Sequence, residues 1–185
     1  MSSGVFLDRD GTLIEDRGDI YDPADVVFFD NTFEALLILQ RYFQLFIVTN
    51  QSGVAKGTIK LDQVNLVNAH IVHVLAEHGI KITDTYVCPH LRTEGCRCIK
   101  PKPHFLWLAS SSYGIDLKLS YSVGDHPHDV DFACNVGGTG IYVLTGHGEK
   151  HLTGLKPGTP ITRDIKEAAA FILSHRGVTH ASKID

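Results

Sequence analysis

The sequence predicts an α/β fold: a single Rossmann-like domain whose parallel sheet is covered by helices on both faces, with no large cap domain. Three observations carry that prediction. Short apolar runs alternate with longer stretches of helical periodicity along the 185 residues. The runs are followed by turns rich in polar, chemistry-bearing residues: Asp8 and Asp10, Thr49-Asn50, and Gly124-Asp125. The intervals after the first two of these turns are too short for a large inserted cap. The length suits one core that buries roughly 70% of the unfolded surface. The domain is expected over residues 1–176, with 177–185 as a frayed tail.

The first strand is the apolar run Val5-Phe6-Leu7, which ends in Asp8-Arg9-Asp10-Gly11-Thr12. A polar stretch, residues 15–25 with Gly18 and Pro23, reads as a flap over the strand ends. Asn31 is a candidate N-cap for a helix carrying Phe33, Leu36, Leu37, Leu39 and Phe43. Residues 45–48 form the second strand, and a long helix follows over 61–77, with Val64, Val67, Ile71, Val74 and Leu75 as its apolar stripe and Gly79 as its stop. His70, His73 and His78 have no accompanying Cys or carboxylate set and read as a solvated face. The third strand covers 82–87 and leads into a Cys/His loop. A helix then begins at Pro103 or His104 and stops at Gly114. The fourth strand spans 119–123, and Pro127 opens the next helix, running to about Asn135. Cys134 on that helix reads as a buried small apolar residue. The fifth strand covers 140–144, a loop rich in Gly, His and Pro follows, and 163–175 form the last helix.

Composition narrows the function. The chain is 43% hydrophobic and 21% charged with a net charge of −4, ordinary for a globular protein and poor in the basic surface that nucleic acid or anionic membrane demands. No apolar stretch approaches the ~20 residues of a membrane span. The N-terminus lacks the basic and long apolar regions of a signal peptide. The expectation is a cytoplasmic monomer that acts on a small molecule.

In a parallel sheet the carboxyl ends of the strands face one edge, so Asp8, Asp10, Thr49, Asn50, Lys100, Asp125 and Asp129 can converge. Carboxylates beside one hydroxyl and one ammonium describe a Mg²⁺ site next to an anion site. A separate signature lies at Cys88-Pro89-His90, followed by Cys96-Arg97-Cys98. One Cys-x-His and one Cys-x-Cys pair supply the four ligands of a closed structural zinc site. Zinc here would staple a loop with no core of its own and so place Lys100.

The four segments Asp8-Arg9-Asp10-Gly11-Thr12, Thr49-Asn50-Gln51-Ser52-Gly53, Lys100-Pro101 and Gly124-Asp125-x-x-x-Asp129 resemble the motifs of haloacid dehalogenase-like phosphatases. With the Cys/His loop, they are most similar to the branch containing heptose 1,7-bisphosphate 7-phosphatases and histidinol-phosphatases. The resemblance implies a Mg²⁺-dependent phosphomonoesterase with catalytic Asp8, Asp10, Thr49 and Lys100: Asp8 as nucleophile, Asp10 as acid and base, and Thr49 and Lys100 on the transferring phosphoryl group. It implies Mg²⁺ on Asp8, Asp10 (through its carbonyl) and Asp125, and structural Zn²⁺ on Cys88, His90, Cys96 and Cys98. Asp129 would orient Lys100 or a metal-bound water rather than ligate directly. Arg9, Asp16, Arg17, Gly18, Asp19, Asn50, Gln51 and Ser52 would contact substrate. That substrate would be a sugar phosphate of carbohydrate metabolism, in the route to lipopolysaccharide. Histidinol phosphate, another small phosphate ester and a polynucleotide 3′-phosphate stay open at this stage, as does a non-catalytic zinc-stabilised binding protein. Two positions depart from the branch. Ile99 stands where many relatives have Arg, leaving Arg92, Arg97 or Lys102 to replace its charge, and His126 stands where relatives often have Lys. His126 and His128 read as a solvated pair at a helix start.

Overall fold

The computed structural model describes residues 2–178. Six strands form one fully parallel sheet: β1 (Gly4–Leu7), β2 (Gln44–Asn50), β3 (Ile82–Cys88), β4 (Tyr121–Gly124), β5 (Thr139–Val143) and β6 (Ile161–Thr162). Their order is β3-β2-β1-β4-β5-β6. The chain builds outward from β1 in one direction and then from β4 in the other, so the switch in direction lies between β1 and β4. The carboxyl ends flanking such a switch are where open α/β sheets bind ligands.

Among the described residues seven α-helices surround the sheet, six between strands and the last after β6: α1 (Thr32–Leu39), α2 (Gly53–Lys56), α3 (Leu61–Glu77), α4 (His104–Tyr113), α5 (Pro127–Cys134), α6 (Gly148–His151) and α7 (Ile165–His175). Alternation along each strand feeds two cores. Val5, Leu7, Leu45, Ile47, Val123 and Ile141 pack on one face with α1, α3 and α7. Phe6, Phe46, Val48 and Tyr86 pack on the other with Phe105 and Leu106 of α4 and Phe132 of α5. That second face is aromatic: Phe6 stacks on Phe46 with centroids 4.8 Å apart, and Tyr86 stacks on Phe105 at 5.1 Å.

The long helix has the expected bounds, and Gly79 leaves it at a φ of 75°. Elsewhere local side chains moved the boundaries. α1 stops at Leu39, so Phe43 reaches the core from a turn. Asn31 caps nothing and instead donates to Asp164 Oδ2 at 2.7 Å. β4 starts at Tyr121 because Asp116 caps a tight turn over Leu117–Leu119. Asp164 accepts from the Glu167 N–H and so starts α7 at Ile165 rather than Arg163. β6, α2 and α6 have two to four residues each, too short for periodicity to announce. Cys134 is exposed rather than buried, because α5 turns Val130, Phe132 and Ala133 inward. Gly177 and Val178 bond back to Ser174 and Leu173; the rest of the expected tail, 179–185, lies outside the described residues. Among the described residues no helix is long and apolar enough to cross a membrane.

Phe46 is fully buried at the centre of the aromatic face. Phe46→Ala should lower stability by about 3–5 kcal/mol, read from the urea midpoint at unchanged slope. A loss below about 1 kcal/mol would show that the ring stack contributes little.

Candidate active site

Asp8 follows β1 directly, its N–H bonded to Val123 of β4, and Asp125 follows β4. The two carboxylates therefore flank the switch point. Two glycines let other backbone close in on Asp125. Gly11 has φ 82° and Gly146 has φ 59°, and a Cβ on either would overlap the Asp125 carboxylate. The loop after β5 locks against this point: Thr145 donates to the Gly11 carbonyl at 2.6 Å, and the His147 N–H donates to Asp125 Oδ2 at 2.7 Å.

Lys100 is the hub. Its Nζ lies 2.5 Å from Asp8 Oδ1, 2.6 Å from Asp129 Oδ1 and 2.8 Å from the Val48 carbonyl. Its three donors are thus committed. Burial alone would push this ammonium down, but Asp129 and Asp8 outweigh it and the net shift is upward. The Lys100 N–H is held by Asn50 Oδ1 at 3.2 Å. Asp129 is held in turn: its Oδ2 accepts the His126 N–H at 3.1 Å. With one oxygen on Lys100 and the other on that N–H, Asp129 positions the lysine.

Asp8 and Asp125 are left to face a cation. Carboxylate oxygens of Asp8, Asp125 and Asp129 lie within 4.8 Å of one another. Burial lifts the Asp8 carboxyl well above its ordinary value; Lys100 opposes the rise and the neighbouring carboxylates add to it. Burial also pushes Asp125 up to about 6. Buried acids crowded in this way suit a hard divalent ion. Asp8 has one oxygen beyond its Lys100 contact, and Asp125 has one beyond its His147 contact, so both fit magnesium.

Asp10 sits in a separate network. Arg9, fully buried, donates through Nε and Nη2 to both Asp10 oxygens at 2.9 and 3.0 Å, and through Nη1 to Asn68 of α3 at 2.8 Å. Gln51 donates to Asp10 Oδ2 and to Thr49 Oγ1, each at 2.8 Å. Arg9 and Gln51, expected at the substrate, are therefore buried supports of Asp10.

The cleft measures about 200 Å³. Asp8, Asp10, Thr49, Lys100, Asp125, Asp16 and Asn50 line it; Arg17, Gly18, Asp19 and Ser52 do not. Arg17 turns to Glu15, and Asp19 is tied to Thr58 at 2.5 Å beside Gly53. The flap is thus pinned at Asp19 and, across the cleft, by Asp16 to His147 at 3.2 Å.

Arg92, His126, His128 and His147 also line the cleft. The solvated-pair reading of His126 and His128 gives way to partly buried rings with centroids 4.4 Å apart. Burial, then His128, pushes His126 down to about 4, and burial, then the Arg92 charge, pushes His128 down. His147 was missed, although it follows a strand whose carboxyl end faces the same edge. Of the three candidates to replace the charge absent at Ile99, Arg92 alone lines the cleft. Lys102 binds the Gly95 and Cys96 carbonyls, and Ile99 packs into the aromatic core.

The Cys/His loop comes together as expected. The Cys88 and Cys98 sulfurs each lie 3.7 Å from Cys96 Sγ and 3.2 Å from each other, and His90 Nδ1 is 3.3 Å from Cys98 Sγ and 3.8 Å from Cys88 Sγ. A tetrahedral zinc with bonds of about 2.3 Å holds its sulfurs about 3.8 Å apart, so the set fits the ion. All three thiols are free of disulfides, and burial pushes Cys88 upward, a penalty that ligation removes.

A family model described as HAD-hydrolase-like matches residues 97–168. A D-glycero-β-D-manno-heptose-1,7-bisphosphate 7-phosphatase of Pasteurella multocida is 36% identical, over 94% of this chain and 92% of that protein. The chain belongs to this family of haloacid dehalogenase-like phosphatases. A Campylobacter jejuni relative named for the α-anomer is 38% identical over 72% of this chain and 77% of its own length. A D,D-heptose 1,7-bisphosphate phosphatase from B. bronchiseptica, solved with magnesium and phosphate, superposes with a TM-score of 0.85 at 29% identity, covering 94% of this chain and 99% of that one.

Two outcomes test the site within this family. The protein should carry about one zinc per chain by elemental analysis, and Cys96→Ser should lose it and lower the melting temperature. A zinc-free protein of full stability would refute the stapling role. Arg9→Ala should destabilise the fold by about 3 kcal/mol in denaturant, since it strands Asp10 and Asn68, with Arg9→Lys recovering part of the loss. An unchanged midpoint would show that the guanidinium fork does not hold Asp10.

Proposed function

We propose that the protein is a Mg²⁺-dependent phosphatase that removes the 7-phosphate of D-glycero-D-manno-heptose 1,7-bisphosphate through an aspartyl-phosphate on Asp8. One observation carries the reading. Asp8 is fixed through one oxygen by a buried ammonium, beside an acid held by three separate donors, at the switch point of the sheet. The substrate comes from the similarity to the heptose bisphosphatases.

In the first half of the reaction, an Asp8 oxygen attacks phosphorus as the ester P–O bond breaks, and protonated Asp10 gives its proton to the leaving sugar oxygen. In the second, Asp10 takes a proton from water as that water attacks phosphorus, and the bond to Asp8 breaks. Arg9, Gln51 and Thr49 aim Asp10 for both transfers. Thr49 faces the phosphoryl oxygens, and Lys100, its donors committed to Asp8, Asp129 and Val48, offsets through its charge the negative charge that gathers at Asp8. Magnesium, held by Asp8, the Asp10 carbonyl and Asp125, would neutralise charge between carboxylate and phosphate. A cleft of about 200 Å³ under a pinned flap suits a small sugar ester. The same reading places the protein in the cytoplasm as a monomer, in the supply of heptose to lipopolysaccharide.

Phosphate release should be measured with Mg²⁺ on heptose 1,7-bisphosphate, histidinol phosphate, other sugar phosphates and a 3′-phosphorylated oligonucleotide. The heptose ester should lead, and Asp8→Asn should lower kcat by at least about 10⁴-fold with the circular dichroism unchanged. Equal activity in wild type and variant would sink the mechanism, and preference for another ester would sink the substrate.

A further inference from the structure

Arg92 is the one formal cation lining the cleft, among the described residues, that holds no carboxylate. Lys100, the other, is saturated by Asp8, Asp129 and the Val48 carbonyl. Among the described residues the sole hydrogen bond of the Arg92 side chain is a long one, from Nη2 to the Lys100 carbonyl at 3.5 Å. That contact fixes its place. The Lys100 side chain drops to the floor of the cleft, whereas Arg92 lies against the Lys100 backbone on the rim.

We propose that Arg92, with His126 and His128 beside it, forms a second anion subsite on the rim that holds the distal phosphate of a sugar bisphosphate while its other phosphate is cleaved at Asp8. This rests on the phosphatase reading above. A guanidinium presents paired donors that match a phosphate. His126 Nδ1 accepts the His128 N–H at 3.3 Å, so a neutral His126 carries its proton on Nε2 as a further donor. The subsite is also built rather than incidental. Arg92 opens a short helical turn, Arg92–Glu94, two residues after His90 of the Cys/His cluster, and Glu94 accepts the Leu91 N–H that begins it. The floor offers carboxylates to a metal, so the rim is where a second anion meets positive charge. A monoester without a distal anion has nothing to place there.

The test is steady-state kinetics of wild type and Arg92→Gln on heptose 1,7-bisphosphate and on heptose 7-phosphate, with zinc content confirming that the loop is intact. Wild type should prefer the bisphosphate. In Arg92→Gln the ratio of kcat/KM for bisphosphate over monophosphate should fall at least about tenfold, carried by KM, with Arg92→Lys recovering part of it. Equal losses on both esters, or no loss on the bisphosphate, would overturn the subsite. Wild type that hydrolyses neither heptose ester overturns the substrate reading alone. The subsite is then judged with fructose 1,6-bisphosphate against fructose 6-phosphate, where the same fall supports it and an unchanged ratio overturns it.

Discussion

The ammonium of Lys100 between Asp8 and Asp129 is the contact on which the rest of the site depends. Its side chain is only 4% exposed, and a charge so buried survives only when paired and hydrogen-bonded. Each partner therefore has to be placed by something rigid. Asp8 is placed by the end of a central strand. Asp129 is placed by the first turn of α5 and tolerated because Gly124 has no Cβ to meet it. Lys100 comes from neither strand nor helix, so its position must be made by other means. The Asn50 amide catches its N–H, Val48 catches its ammonium, and the Cys/His loop fixes the chain just before it.

The two metal centres have opposite designs for this reason. The Cys/His set is closed: four side-chain ligands converge with no open position, as a structural ion requires. The carboxylate set is incomplete by construction. Asp129 is spent on Lys100 and His126, leaving Asp8 and Asp125 to share a cation with substrate and solvent. Magnesium keeps such open positions. Removing the first ion should loosen the placement of Lys100; removing the second should leave the fold and stop the chemistry.

What the sequence made legible follows from range. Sheet, helices and metal sets rest on local pattern, and they came through: the parallel strands, the 61–77 helix, and a cysteine cluster within eleven positions. What failed was orientation. Arg9 sits between Asp8 and Asp10 in sequence and yet points away from the cleft, because residues alternate across a strand end and α3 offers it Asn68 from fifty-nine positions away. Gln51 is turned inward by the same network. Cys134 misled in the other direction, since one step along a helix moves a side chain about 100° around its axis. The motif showed which residues matter and left open which of them face the substrate.

That distinction separates chemistry from recognition in this molecule. Asp8, Asp10, Thr49, Lys100 and Asp129 are knitted into one another and into the core, so replacing any of them strands a buried partner. The residues that can meet the rest of a substrate lie on the flap, the Cys/His loop and the loop after β5, where side chains are exposed and few partners are lost by change. Ile99 shows the consequence. Directly beside Lys100 it packs into the aromatic core, while a guanidinium seven residues earlier faces the cleft. On the Cys/His loop it is Arg92 that lines the cleft. A recognition charge can therefore sit on that loop while Lys100, held from below by two carboxylates, stays where the reaction needs it.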